Sequence, residues 1–137
     1  MKDNNRSFSP RLEEILAYPY NLFGMKPLTE EEVELYNRYA AFAQKGDNHP
    51  EHIFCRNNDI TNILSNTINS YPQMSNREFK IMQLGMLFGD NEYWNSVSDL
   101  EDDKLAGVYG VRVDDVRMQR LYGVMASRLN EQKSLTR

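Results

Sequence analysis

The sequence predicts an all-α protein, folded as a compact bundle of about six helices. Apolar residues recur along it at the three- and four-residue spacing that lines one face of a helix. Three segments begin with serine or threonine followed three residues later by glutamate, the capping-box pattern of a helix start. No segment of comparable length alternates polar and apolar residues as a strand does, and nothing repeats at a fixed period.

Composition and length are those of one globular domain, so we expect residues 1–137 to form a single helical domain. Within it we expect residues 1–8 to be a disordered N-terminus and residues 130–137 a frayed tail. The N-terminus lacks the apolar core of a signal peptide, and no apolar run approaches the ~20 residues that span a bilayer. The single cysteine, Cys55, fits a reducing compartment. These features predict a cytoplasmic protein that does not bind a membrane.

The first third of the chain carries clear helix boundaries. Ser9 followed by proline predicts a short helix, because proline at the first helical position gives up only an N–H that has no partner there. A loop over residues 21–28 should follow. Three of its apolar side chains are expected to point inward: Leu22, Phe23 and Met25. Thr29 and Glu32 form a capping box that begins the next helix, which should end near Lys45.

The middle of the chain should supply the centre of the fold. Asp59 is expected to cap one helix, which ends before Pro72. Ser75 and Glu78 form a second capping box, and the helix they begin, residues 75–88, is nearly all apolar. A helix that is apolar all round is buried, so we expect it at the centre. Two aromatic residues just beyond it should cover the same core: Tyr93 and Trp94.

The segment from residue 47 to residue 55 holds both histidines and the only cysteine, which makes it the candidate for metal or nucleophilic chemistry. Four of its residues are potential zinc ligands: Asp47, His49, His52 and Cys55. Their spacing is too compact for a zinc finger, and the P-C-x-x-C partner that a zinc deaminase needs is absent. No glycine-rich phosphate loop is present either. We therefore expect no metal, no cofactor and no enzymatic activity.

The net charge of −4 is distributed unevenly. From Lys104 onward, seven lysines and arginines stand against three acidic residues and give +4, so the first 103 residues carry −8. A basic end on an acidic body is an asymmetry that can mark a nucleic-acid-binding face, although a terminal helix can also be basic without that role.

The segment LAGVYGVRVDDVRMQRL, residues 105–121, contains a tight junction between two apolar segments. A third capping box, Ser98 and Glu101, should open it. Five positions carry the residue types of a helix-turn-helix: Leu105, Ala106, Gly110, Val111 and Val116. The alanine lets the second helix cross closely, the glycine can adopt a positive φ in the turn, and the valines pin the second helix. Residues 102–121 therefore resemble the helix-turn-helix pattern of bacterial and phage DNA-binding proteins.

The resemblance implies that residues 99–129 bind duplex DNA in a regulatory or assembly role. The helix from about residue 113 to residue 129 would enter the major groove by its N-terminal part. Five positions would face the DNA: Arg112, Asp114, Arg117, Met118 and Leu121. Arg117 would read guanine, and Arg112 or Arg120 would hold phosphates.

A docking protein is the alternative. The acidic body and the apolar residues of the last helix would suit a small adaptor, assembly or inhibitor protein. Met118, Leu121 and Met125 would then contact a protein partner or a second copy of the chain, since methionine suits adaptable contact surfaces. If neither function applies, Met118 and Leu121 would belong to a buried stripe of the last helix, together with Val124, Met125 and Leu129.

Overall fold

The computed structural model describes the backbone of residues 9–45 and 50–135 and the side chains of residues 9–43 and 59–132. The regular elements in this part of the chain are all helices, eight in number: α1 (Pro10–Leu16), α2 (Tyr20–Phe23), α3 (Glu30–Lys45), α4 (Pro50–Ser70), α5 (Asn76–Phe88), α6 (Asn91–Val97), α7 (Asp102–Tyr109) and α8 (Val113–Leu135). The all-α class and the compact packing are confirmed. The described residues contain more helices than the six or so predicted, because α2 and α6 are short helices in segments expected to connect longer ones.

Three of the predicted helix starts are confirmed by their hydrogen bonds. The Ser9 side chain accepts from the Leu12 N–H at 3.1 Å and begins α1. Thr29 and Glu32 each accept from the other's backbone N–H, at 3.1 and 3.0 Å. The equivalent box at the start of α5 is also complete, and α3 ends at Lys45 as expected.

Two predicted starts are wrong. Asp59 lies inside α4, which begins nine residues earlier at Pro50, a proline at the first helical position. Ser98 is the C-cap of α6, and Glu101 precedes α7 without capping it through its side chain. The third capping box does not form, because the chain turns through Leu100 before α7 begins.

Helix α5 lies at the centre of the fold, as predicted, with every residue from 79 to 88 buried. Its closest neighbour is α3. Gly85 faces the Tyr36 carbonyl, where an added Cβ atom would lie 2.6 Å from the oxygen. A Cβ atom added to Gly89 would lie 2.4 Å from the Cβ of Ala40. Two glycines four residues apart therefore let the backbones of α3 and α5 approach closely.

The aromatic residues after α5 cover one end of this core, as predicted. Trp94 packs edge-on against Phe88 at 5.4 Å between ring centroids, and Tyr93 packs against Tyr109 of α7 at 5.7 Å. The Phe88 and Tyr109 rings meet at 4.6 Å. Helices α5, α6 and α7 are thus joined through one aromatic cluster, which anchors the start of the C-terminal pair.

The segment at residues 20–28 differs from the predicted loop. It begins with α2, and of its three apolar side chains expected to point inward only Phe23 is buried. Leu22 and Met25 are exposed, because α2 presents a single residue to the core. At the other end of the chain, α8 continues to Leu135, beyond its predicted end at residue 129. The expectations for residues 1–8, 136 and 137 lie outside the described residues.

Candidate functional site

The turn between α7 and α8 has the local geometry that its glycine suggested. Gly110 has φ 69° and ψ 38°, in the left-handed region that favours glycine. The Val111 N–H donates to the Ala106 carbonyl at 3.0 Å, which closes the end of α7 in the manner of a Schellman motif. The other pattern positions also lie in the corner. Three of them are buried, namely Leu105, Ala106 and Val116, and Val111 is half-buried beside them.

The Arg120 side chain joins α8 to the start of α7 and to the segment that precedes it. Its Nε donates to Asp102 at 2.8 Å, and its other nitrogens donate to the carbonyls of Ser98 and Leu100 at 3.1 and 2.9 Å. The guanidinium also lies over the Trp94 ring, 5.7 Å from the centroid. These contacts use the donors that a phosphate would need, so Arg120 is a structural residue here and not a free cation.

The other two predicted DNA-facing arginines are closer to solvent but are also paired. Arg117 is about half exposed and lies 3.5 Å from Asp102 and 3.7 Å from Asp114. Arg112 donates to the Tyr18 carbonyl at 3.0 Å and lies 3.4 Å from Asp115 and 3.8 Å from Asp114. Asp114 sits in the first turn of α8, paired with both arginines. The positive charge predicted for this face is therefore largely compensated within the molecule.

Met118 is placed wrongly by both functional hypotheses and correctly by the buried-stripe interpretation. It is fully buried on the face of α8 that packs into the core, together with Val116 and Tyr122. In this structure its side chain is not accessible to DNA or to a partner. Leu121 and Met125 are half-buried, whereas Val124, expected in the same buried stripe, is exposed. Its exposure follows from the 3.6-residue period, which places it away from the buried face.

An apolar groove lies between the segment after α2 and the outer face of α8. It has a volume of about 400 Å³ and is lined in part by Met25, Leu28, Leu121, Val124, Met125 and Arg128. Met25 is 73% exposed and Val124 48% exposed. Leu22 and Tyr20, on α2, are exposed as well. Apolar side chains of α8 and of the segment after α2 thus line one groove at the surface.

A buried ion pair lies beneath the α7–α8 corner. Lys80 of α5 is fully buried, and its Nζ donates to Asp115 Oδ1 at 2.7 Å and to the Leu16 carbonyl at 3.1 Å. Burial lowers the pKa of Lys80 to about 8, against the opposing effect of the Asp115 carboxylate. The sequence offered no sign of this pair, because its partners lie on different helices.

The predicted zinc-ligand candidates Asp47, His49, His52 and Cys55 lie outside the residues whose side chains are described. Elsewhere in the described chain no three acidic, histidine or cysteine side chains come together to hold a metal ion. Across its described residues, no helix combines the length and apolar character needed to cross a membrane. No family model, curated protein or solved structure matches this chain.

Proposed function

We propose that the protein acts by docking on a protein partner through the groove between α8 and the segment that follows α2. The observation that carries the proposal is the cluster of exposed apolar side chains from two segments around a concave surface. Single exposed apolar residues are ordinary, but a contiguous group on a small protein marks an interaction surface. Since the groove runs beside α8, it suits the apolar face of an amphipathic helix laid into it.

The charges near the groove favour an acidic partner helix. Among the residues whose side chains the structure describes, Arg128 is the charged residue that lines it, and the exposed Lys26 lies in the same loop as Met25. None of the described residues that line the groove carries a carboxylate. An amphipathic helix with leucines on one face and glutamates along its edges would therefore bury its apolar side chains while pairing its carboxylates at the rim.

A defined peptide tests this proposal. The probe is a labelled 18-residue helix with leucines at the i, i+3, i+4 and i+7 positions and glutamates at the edges, compared with the same helix carrying lysines instead. We expect fluorescence anisotropy to show tighter binding of the acidic peptide. Met25→Asp combined with Val124→Asp should weaken it at least tenfold, and Tyr71→Asp, at an exposed aromatic residue outside the groove, should leave it unchanged. Equal binding by all three proteins would overturn the proposal.

DNA binding through residues 99–129 is the second candidate. The left-handed Gly110, the buried Ala106 and Val116, and the half-exposed Arg117 favour it. The pairs of Arg117 with Asp102 and Asp114 are long, at 3.5 and 3.7 Å, and a surface pair of this kind contributes only ~0–1 kcal/mol. Arg117 would therefore exchange these carboxylates for a base or a phosphate at little cost.

Gel retardation of duplex DNA at several salt concentrations separates the two candidates. Specific binding would weaken steeply with salt, by a log–log slope of about −0.9 for each phosphate contact. Arg117→Ala should weaken it by roughly 1–3 kcal/mol, whereas Arg112→Ala should weaken all sequences alike. The Met25→Asp/Val124→Asp variant should bind DNA like the wild type, because neither residue lies on the DNA-facing positions. If the wild-type protein bound DNA no more tightly than its Arg112/Arg117/Arg120 triple-alanine variant, DNA binding would be excluded as a function.

A further inference from the structure

One wall of the docking groove is a segment that is not helical. Residues 24–28, the loop wall, join α2 to α3, and four of them line the groove: Gly24, Met25, Pro27 and Leu28. Outside a helix, the backbone carbonyls of such a segment need partners from elsewhere in the molecule. The shape of the groove therefore depends on what holds the loop wall in place.

Arg77 of α5 holds the backbone at both ends of the loop wall. Its guanidinium donates to the carbonyls of Phe23, Lys26 and Pro27, at 2.9, 3.0 and 3.3 Å. The guanidinium also lies over the Phe23 ring, 5.2 Å from the centroid. Arg77 itself is only 7% exposed. One buried side chain thus gives three carbonyls of this segment their hydrogen bonds.

Glu32 of α3 fixes the orientation of that guanidinium. Its carboxylate accepts from Nε of Arg77 at 2.8 Å and from Nη2 at 3.2 Å. The same carboxylate accepts from the Thr29 N–H at 3.0 Å, within the capping box that begins α3. A bidentate pair of this kind defines the plane of the guanidinium, which a lysine ammonium cannot do. The loop wall is therefore tied to α5 and α3 together.

On its other side the loop wall packs directly on α8. A Cβ atom added to Gly24 would lie 2.7 Å from Cδ2 of Leu121. Because Gly24 and Leu121 both line the groove, their close approach sets the distance between its two walls at this place. The loop wall is thus held between Arg77 and α8.

We propose that Arg77 is a positioning residue for the partner helix, which keeps the groove formed in the free protein. This inference rests on the proposed docking function. Arg77 is buried and acts through residues 24–28, so it need not touch the partner. A groove that is formed in only a fraction of the molecules binds with an affinity reduced by that fraction. Loss of the Arg77 contacts should therefore weaken docking although every residue that lines the groove is still present.

The acidic peptide helix is the probe, and Arg77→Lys is the variant. Lysine keeps the positive charge beside Glu32 but offers one nitrogen to the three carbonyls. We expect fluorescence anisotropy to show a loss of affinity of about fivefold or more, carried by a slower association rate because fewer molecules have a formed groove. The dissociation rate should stay near that of the wild type, which a direct loss of partner contacts would not allow.

Arg11→Lys is the matched control. Arg11 donates in the same way to the carbonyls of Pro72 and Met74 and lies over the Phe79 ring, and none of these residues lines the groove. This variant should lose stability in urea denaturation and keep the wild-type peptide affinity. If Arg77→Lys also kept it, the role of Arg77 would be wrong while the docking function stood. If the peptide did not bind the wild type, the docking function itself would fail.

NMR relaxation of the isotope-labelled wild type tests the rigidity of the loop wall without a variant. We expect backbone order parameters of about 0.85 at residues 24–26, as in a rigid backbone. In Arg77→Lys they should fall toward about 0.6 at the same positions. Values below about 0.6 in the free wild type would overturn the proposal, because the groove would then not be preformed.

Discussion

Lys80 of α5 and Asp115 of α8 form an ion pair 2.7 Å long with both side chains buried. The pair joins the central helix to the first turn of the C-terminal helix, directly beneath the corner at Gly110. The free-energy cost of removing the two charges from water is compensated by their mutual attraction, so it is compensated only while both partners are present.

Breaking this pair should be strongly destabilising. Asp115→Asn leaves Lys80 buried without its carboxylate, and we expect the free energy of unfolding to fall by about 3–5 kcal/mol in urea denaturation. The double variant Lys80→Met/Asp115→Leu should recover most of this loss, because apolar residues of similar size need no compensation. Asp114→Asn, at the half-exposed neighbour, should change stability by less than about 1 kcal/mol. If Asp115→Asn lowered the free energy of unfolding no more than Asp114→Asn does, the buried pair would contribute little to stability.

The same pair predicts a rise of stability with pH. Burial lowers the pKa of Lys80 from 10.5 to about 8 in the folded protein. Between these values the unfolded chain holds a proton that the folded chain has released, so the free energy of unfolding increases with pH, by about 2–3 kcal/mol from pH 8 to pH 10. The comparison of wild type with Lys80→Met/Asp115→Leu isolates this contribution, because neither buried charge remains in the double variant. A difference between the two proteins that does not change over this range would contradict it.

Above pH 10 the free energy of unfolding should instead decrease with pH, because of two stacked tyrosines. Tyr36 and Tyr122 lie 3.9 Å apart between ring centroids, and burial raises the pKa of both above the usual range. The unfolded chain ionises them first, so stability that is present below pH 10 is lost as the pH rises further. Tyr122→Phe should reduce this loss, as measured by chemical denaturation at pH 9, 10 and 11.

The close approach of α3 and α5 makes Gly85 sensitive to a single added methyl group. The Cβ of Gly85→Ala would lie 2.6 Å from the Tyr36 carbonyl oxygen, on a backbone that cannot move alone. We expect a loss of about 1–3 kcal/mol, as for other overpacked cores. Gly107→Ala is the matched control, because no atom lies within 4 Å of its added Cβ, and it should gain up to about 1 kcal/mol from helix propensity. Equal thermal melting of the two variants would show that the helices have room to separate.

The turn at Gly110 should tolerate asparagine better than alanine. Its φ of 69° disfavours residues with a Cβ, by roughly 1–2 kcal/mol for alanine. Asparagine enters this region more readily, so Gly110→Asn should lose less stability than Gly110→Ala. If the two variants unfold at the same denaturant concentration, the left-handed conformation is not what the turn requires.

Helix starts were predictable where they depended on hydrogen bonds between residues three apart. The pairs Thr29–Glu32 and Ser75–Glu78 satisfy each other locally, whatever the rest of the chain does. The Ser98–Glu101 pair has the same spacing but does not form the box, because Ser98 ends α6 and the chain turns before α7. The local pattern therefore predicts an N-terminal cap only where its serine or threonine does not end the preceding helix.

The sequence by itself determined the helical class, the apolar central helix and the glycine turn, because periodicity, capping and a positive φ are properties of short segments. Only the tertiary structure decided which charges are free. Arg120 reaches Asp102 over 18 residues, and Lys80 reaches Asp115 over 35. It also decided that Met118 is buried while Met25 and Val124 are exposed. The partners and exposure of a side chain depend on which helices pack beside it, and that arrangement follows from the burial of the whole core.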